Sequence, residues 1–288
     1  MVCLLLAVLA ATQAQPIESG DLVYAKFEKE GTTGVFVYSF RTKETERIEL
    51  GESWVSDQFA ISPDHKNMAY VTTVRQNGGG CQLHIYNFLK KRHQNVKEDN
   101  SSQYCGAEPV FSPDSHILAI GDHSSDKIDQ VDVRTAVRTP LVPPKLFNSR
   151  SIILSHLQFD STGQKLAIQY GHEIYSYDLN SRSAHLIDAR AWGDVNSISP
   201  DFKRVVYWKT QNGRSNPREV FLKKTGDSAG KRIFTGREVY ETSVDWKRGR
   251  VAVPYDLPGS FQNMVAVLDF QGRVLMRIPG GMHPAFVP

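Results

Sequence analysis

Five stretches of this chain share one short pattern, and nothing else in the sequence narrows the fold as far. In FSPDSHILAI (111–120) an apolar residue leads, Ser-Pro-Asp follows, and an apolar run comes after it. The pattern returns in ISPDHKNMAY (61–70), FDSTGQKLAI (159–168) and ISPDFKRVVY (198–207), and more weakly in VDWKRGRVAV (244–253). Phe286, in the closing PAFVP, begins a sixth copy that is cut short. The leading residues Ile61, Phe111, Phe159, Ile198, Val244 and Phe286 lie 39 to 50 residues apart. The Pro-Asp step is turn chemistry: Pro presets φ, and Asp can accept from the backbone ahead of it.

Repeats of this length, each made of a few short strands, point to an all-β fold, a six-bladed β-propeller with four-stranded blades. One blade cannot bury both its faces, so blades stack around an axis and cover one another. The strand before the turn is then the inner one, and the run after it, such as HILAIGD, is apolar enough for burial on both faces. A third strand with aromatic alternation follows, as in GVFVYSF (34–40), QLHIYNF (82–88) and EIYSYDL (173–179). A short outer strand such as ERIEL (46–50) or AHLID (184–188) ends each repeat. Residues 19–50 supply three strands without an inner one, and HPAFVP supplies an inner strand without partners. Together they complete one blade and close the ring, which removes open sheet edges.

The set resembles the TolB-like six-bladed propeller family, whose WD40-like repeats carry the motif F-S-P-D-G. The resemblance covers nearly all of residues 19–288. It implies a fold more than a function, since that family includes binding platforms, protease gating domains and some lyases. Only the third copy has Gly at the expected turn position (Gly163), and the fifth lacks Ser-Pro. A TolB-like propeller often precedes a hydrolase domain; here the chain stops where the ring closes, so a propeller-gated peptidase is not expected.

The first residues, MVCLLLAVLAATQAQ, form an apolar run ending in small residues and read as a signal peptide over residues 1–14. The run is too short to span a bilayer. The expected location is secreted, extracellular or periplasmic, and the expected state a monomer. A net charge of +3 gives no basis for nucleic-acid or anionic-membrane binding. The basic run KKRH (90–93) falls at an expected turn and reads as solvated. Cys81 and Cys105 fall on one face of adjacent blades. They form a disulfide in an oxidising compartment, or remain two thiols too far apart to bridge. Asn100-Ser101-Ser102 is an N-glycosylation sequon, usable in a eukaryotic source.

Three positions ahead of each leading residue stand Gln58, Glu108, His156, Val195, Glu241 and His283. Repeated about an axis, these positions ring one mouth of the channel. Two His and two carboxylates are a divalent-metal ligand set in type, with His156 and His283 as metal ligands and Glu108 and Glu241 as ligand or catalytic base. The resemblance adds that some propeller lyases acting on uronate sugars hold a metal at such a mouth. A solvated mouth explains polar residues equally well. Trp54, Tyr104, Trp192 and Tyr240 precede the inner strands, and Phe261 lies in a long loop on that face. With Gln58 they suit a contact surface for a protein or carbohydrate, or they pack the loops onto the rim. No G-x-S-x-G, H-E-x-x-H, P-loop or EF-hand occurs. Two functions follow: a secreted binding propeller using the mouth face, or a metal-dependent lyase or hydrolase acting on an oligosaccharide in the channel.

Overall fold

The Ser-Pro-Asp turns build themselves from their own side chains. In the first copy Ser62 Oγ donates to Asp64 Oδ1 (2.6 Å) and accepts from the backbone N–H of Asn67 (2.9 Å). The second and fourth copies repeat this with Ser112, Asp114 and Ile117, and with Ser199, Asp201 and Arg204. The third copy exchanges the roles: Thr162 Oγ1 donates to Asp160, whose carboxylate also accepts from Lys165 N–H. Each turn needs one residue in the left-handed region. Gly163 fills it at φ 71°, but His65, Ser115 and Phe202 fill it at φ 58°, 64° and 57°. A left-handed residue without glycine costs free energy, and these side-chain bonds offset it.

The computed structural model describes residues 17–28, 33–50, 59–74, 80–96, 109–122, 127–143, 154–189, 194–210, 217–239, 241–257 and 263–288. They form β1 (Leu22–Phe27), β2 (Thr33–Tyr38) and β3 (Thr45–Ile48), then β4 (Phe59–Ile61), β5 (Asn67–Val74), β6 (Gly80–Asn87) and β7 (Arg92–Asn95). The third blade comprises β8 (Val110–Phe111), β9 (Ile117–Asp122), β10 (Lys127–Asp132) and β11 (Arg138–Val142). The fourth comprises β12 (Leu154–Phe159), β13 (Lys165–Tyr170), β14 (Glu173–Asp178) and β15 (Ser183–Asp188). The fifth comprises β16 (Asp194–Ile198), β17 (Arg204–Thr210), β18 (Arg218–Lys224) and β19 (Lys231–Gly236). The sixth comprises β20 (Ser243–Asp245), β21 (Arg250–Asp256), β22 (Asn263–Asp269) and β23 (Val274–Pro279), and β24 (Gly281–Phe286) follows. Six four-stranded antiparallel sheets result, and β24 pairs with β1, Leu22 opposite Phe286, to complete the first blade. Each inner strand lies beside the next, round to β24. The molecule is a six-bladed β-propeller.

Side-chain alternation in the second strand of each blade explains the stacking. Met68 and Tyr70 pack toward the first blade, while Ala69 and Val71 of the same strand pack toward the third. Leu166 and Ile168 face the third blade and Ala167 the fifth. Val251 and Val253 face the fifth blade and Ala252 the first. Among the described residues, one apolar cluster fills each of the six seams. Burial on both faces is why these strands read as unbroken apolar runs. The KKRH run is solvated: Lys90, Lys91, Arg92 and His93 are all exposed, in the turn before β7 and in β7 itself. The Pro-rich stretch begins inside an edge strand, β11, where Pro140 removes no bond the sheet needs.

At the turn end of the blades, a belt of contacts runs round the ring. Asp64 N–H donates to Ser115 Oγ (3.0 Å), and Pro113 packs against Gly163. Ser161 N–H reaches the Pro200 carbonyl (3.2 Å), and Trp246 Nε1 donates to Ser197 Oγ (3.1 Å). Trp246 stands where three other full copies have Pro and the third has Ser161, so the fifth copy still grips its neighbour. Arg250 binds Asp245 and the Gly20 carbonyl (2.7 Å), its guanidinium lying over Phe40 and Phe286. Finally His65 Nε2 donates to the Pro288 carbonyl (3.0 Å).

Candidate functional site at the channel mouth

The opposite end carries the connections from second to third strands and those leading into each inner strand. Here the six aligned positions are not equivalent. In β12, β16 and β24 the register shifts between Leu154 and His156, between Val195 and Ser197, and between Met282 and Ala285. These are β-bulges, which re-aim side chains and bend a strand. In β4, β8 and β20 the strand begins only after the aligned position. Stepping back three residues therefore does not reach the same point in every blade. Gln58 and Glu108 lie outside the described residues, as do Trp54, Tyr104, Trp192, Tyr240, Phe261, Cys105, Asn100 and residues 1–14. The backbone of Cys81 stands in β6 opposite Thr73.

One expected pair is brought together. His283, at φ 47° in the β24 bulge, places Nδ1 3.6 Å from Glu241 Oε2 in the segment before β20. Its side chain is 14% exposed, that of Glu241 47%. Burial pushes the Glu241 carboxyl up, but the His283 imidazole, its own backbone N–H and the charge of Arg218 outweigh this and hold it below its ordinary range. Arg218, at the head of β18, stacks its guanidinium 4.1 Å above the Trp208 ring and donates to the Val239 carbonyl. It stands outside the repeat alignment, and no residue pattern points to it.

His156 pairs with Gln169 across β12 and β13, and the Gln169 side chain, fully buried, donates to the Gly171 carbonyl (2.9 Å). On the other face of this blade, Tyr175, opposite Ile168, donates to Glu173 (2.5 Å); burial, then that carboxylate, push the Tyr175 hydroxyl up to about 12. His156 belongs to the fourth blade and His283 to the first, which face each other across the ring. Among the described residues, no three of His, Cys, Asp and Glu lie close enough to hold a metal ion. Among the described residues, the mouth thus carries one acid–imidazole pair, Glu241 with His283, beside the stacked Arg218.

No family model matches the sequence, and neither does any curated protein. Solved structures do. TolB from Acinetobacter baumannii superposes with a TM-score of 0.72 at 14% identity, over 93% of this chain and 67% of that one. The fold is that of the TolB propeller. A putative TolB from Agrobacterium tumefaciens gives 0.61 at 14% identity, over 93% of this chain and 92% of its own. A chain of the nidogen/laminin complex gives 0.64 at 8% identity, over 93% and 98%. At these identities the likeness is one of fold. The TolB-like architecture supplies the ring, and the chemistry of the mouth belongs to this chain's own residues.

Proposed function

We propose that this TolB-like propeller is a secreted or periplasmic binding protein that presents its mouth face to a protein or carbohydrate. The observation that carries the reading is the asymmetry of the two ends. Turn-to-turn contacts belt one end of the blades, whereas the other end is where strands enter from the next blade and where Glu241, His283 and Arg218 gather. A rigid ring presenting many loops on one side is a binding platform. One neighbour of the same fold occurs in the nidogen/laminin complex, and that supports a protein partner. Gln58, Trp54, Tyr104, Trp192 and Tyr240 are the proposed contact residues.

The test is a photo-reactive amino acid placed at position 241, on the mouth, or at position 116, on the turn end. The reading expects a partner to cross-link from 241 and not from 116. Equal capture from both positions, or capture from 116 alone, overturns it.

The acid–imidazole pair favours a second reading, a metal-dependent lyase or hydrolase acting on an oligosaccharide. In it His156 and His283 hold a divalent metal, with Glu108 and Glu241 as ligand or base. Elemental analysis of protein purified without chelator decides it. Near-stoichiometric metal that disappears in His156→Ala/His283→Ala supports the enzyme; equal metal content in both proteins removes it.

A further inference from the structure

From the turns Ser112–Asp114 and Thr162–Gly163 up along β10 and β11, a cleft of about 350 Å³ opens between the third and fourth blades. It lies where Pro113 packs against Gly163 in the belt described above. Gly163 keeps the cleft open: at φ 71° a side chain is strained, and a Cβ would come within 3.3 Å of Pro113 Cδ. Ile117, Leu141 and Phe159 form apolar walls, and Asp114, Gln130 and Thr162 supply the polar rim. Among the described residues of the lining, Asp114 is the one that is charged. Its Oδ1 is taken up by the Ser112 hydroxyl and the His116 N–H. Its Oδ2 lies 3.7 Å from the exposed His116 ring. Gln130 is turned toward Thr139 Oγ1 (3.2 Å), which leaves its carbonyl oxygen to accept.

We propose that this cleft is a binding site for a small amphiphilic cation, an ammonium or guanidinium on an aliphatic stem. The volume is at the lower end of those that take small ligands, and holds on the order of ten non-hydrogen atoms if each needs about the share of one water. The apolar walls take the stem, the Asp114 carboxylate meets the charge, and the Gln130 carbonyl accepts a second N–H. An anion of the same length meets like charge at the rim.

Hexylammonium, hexanol and hexanoate, titrated into isotope-labelled protein, test it through methyl shifts. Hexylammonium is expected to bind most tightly and to shift Leu141 and Ile117; hexanoate is expected to bind most weakly. Asp114→Asn keeps the Oδ1 acceptor that the turn requires, and should weaken hexylammonium about threefold to fivefold while leaving hexanol unchanged. Leu141→Trp fills the cleft and should remove binding of all three. N-acetyllysine amide separates the sources of the cation: binding tighter than hexylammonium assigns a protein side chain, and weaker binding a free amine. Equal affinity for the three probes, no binding up to their solubility limits, or an Asp114→Asn protein that still prefers the cation to the same degree each overturns the proposal.

Discussion

Lys223 and Asp188 are shut between the fourth and fifth blades, their side chains 2% and 1% exposed, with Nζ 2.7 Å from Oδ2. Asp188 also accepts from Gly226 N–H, and Lys223 also donates to the Asp227 carbonyl. Removing one partner leaves a buried charge, so Lys223→Met should cost about 3–5 kcal/mol, whereas Asp188→Leu/Lys223→Met should come close to the parent. Urea melts of the three proteins check this, and an equal loss in single and double variants contradicts it. The turn carboxylates give a second prediction. The Ser112 and Ser199 hydroxyls hold Asp114 and Asp201 below their ordinary range; at Asp64 burial acts upward, but Ser62 and Lys66 outweigh it. These groups bind protons less readily folded than unfolded. Their stabilisation is therefore complete above about pH 4 and is lost as the pH falls through the lower folded values. The melting temperature should drop on acidification below that point, and drop less in Asp64→Asn/Asp114→Asn/Asp201→Asn; identical pH profiles would exclude these residues as the cause. The turns were legible because Ser and Asp at fixed offsets have one local use. The ion pair was not, because Lys223-Lys224 at the end of an alternating strand reads as solvent-facing, and only Lys224 is exposed.

The strands were legible from the alternation of their residues, and the closing blade from counting three strands that lacked an inner partner. The bulges were not. An extra residue in an inner strand leaves the apolar lead where the repeat expects it, so Val195 and His283 align perfectly while their backbones are displaced. The ring of five polar residues and Val195 could be written down from the sequence, and among its described members Glu241 and His283 meet. β24 carries the strongest prediction at this scale. It pairs with β1, and beyond it Val287 exchanges backbone bonds with Gly20 and Asp21. Removing residues 284–288 should abolish the cooperative thermal transition. Phe286→Ala, which empties a site 6% exposed between the sixth and first blades, should cost about 3–5 kcal/mol. A truncated protein melting within a few degrees of the parent would show that the blade closes without this strand.

For the ring as a whole, closure makes the position of the chain break a matter of convenience. Gly20 N–H lies 2.7 Å from the Val287 carbonyl, so a short linker can join residue 288 to residue 17. New ends opened between the exposed Ser228 and Ala229 would again divide one blade between the two ends of the chain. Such a permutant should fold with a similar melting temperature; a broad transition in calorimetry would instead show that one particular seam must be covalently continuous.

The splitting of each second strand between two seams limits how such a protein can change. A blade looks like a unit of sequence, yet Ala167 answers to the fifth blade while its neighbours Leu166 and Ile168 answer to the third. Copying one blade over another would therefore mismatch two surfaces at once. Each copy is fitted to its place in the ring, so a swap of blades must be matched by changes in both neighbouring blades, whereas a change confined to a loop leaves every seam intact.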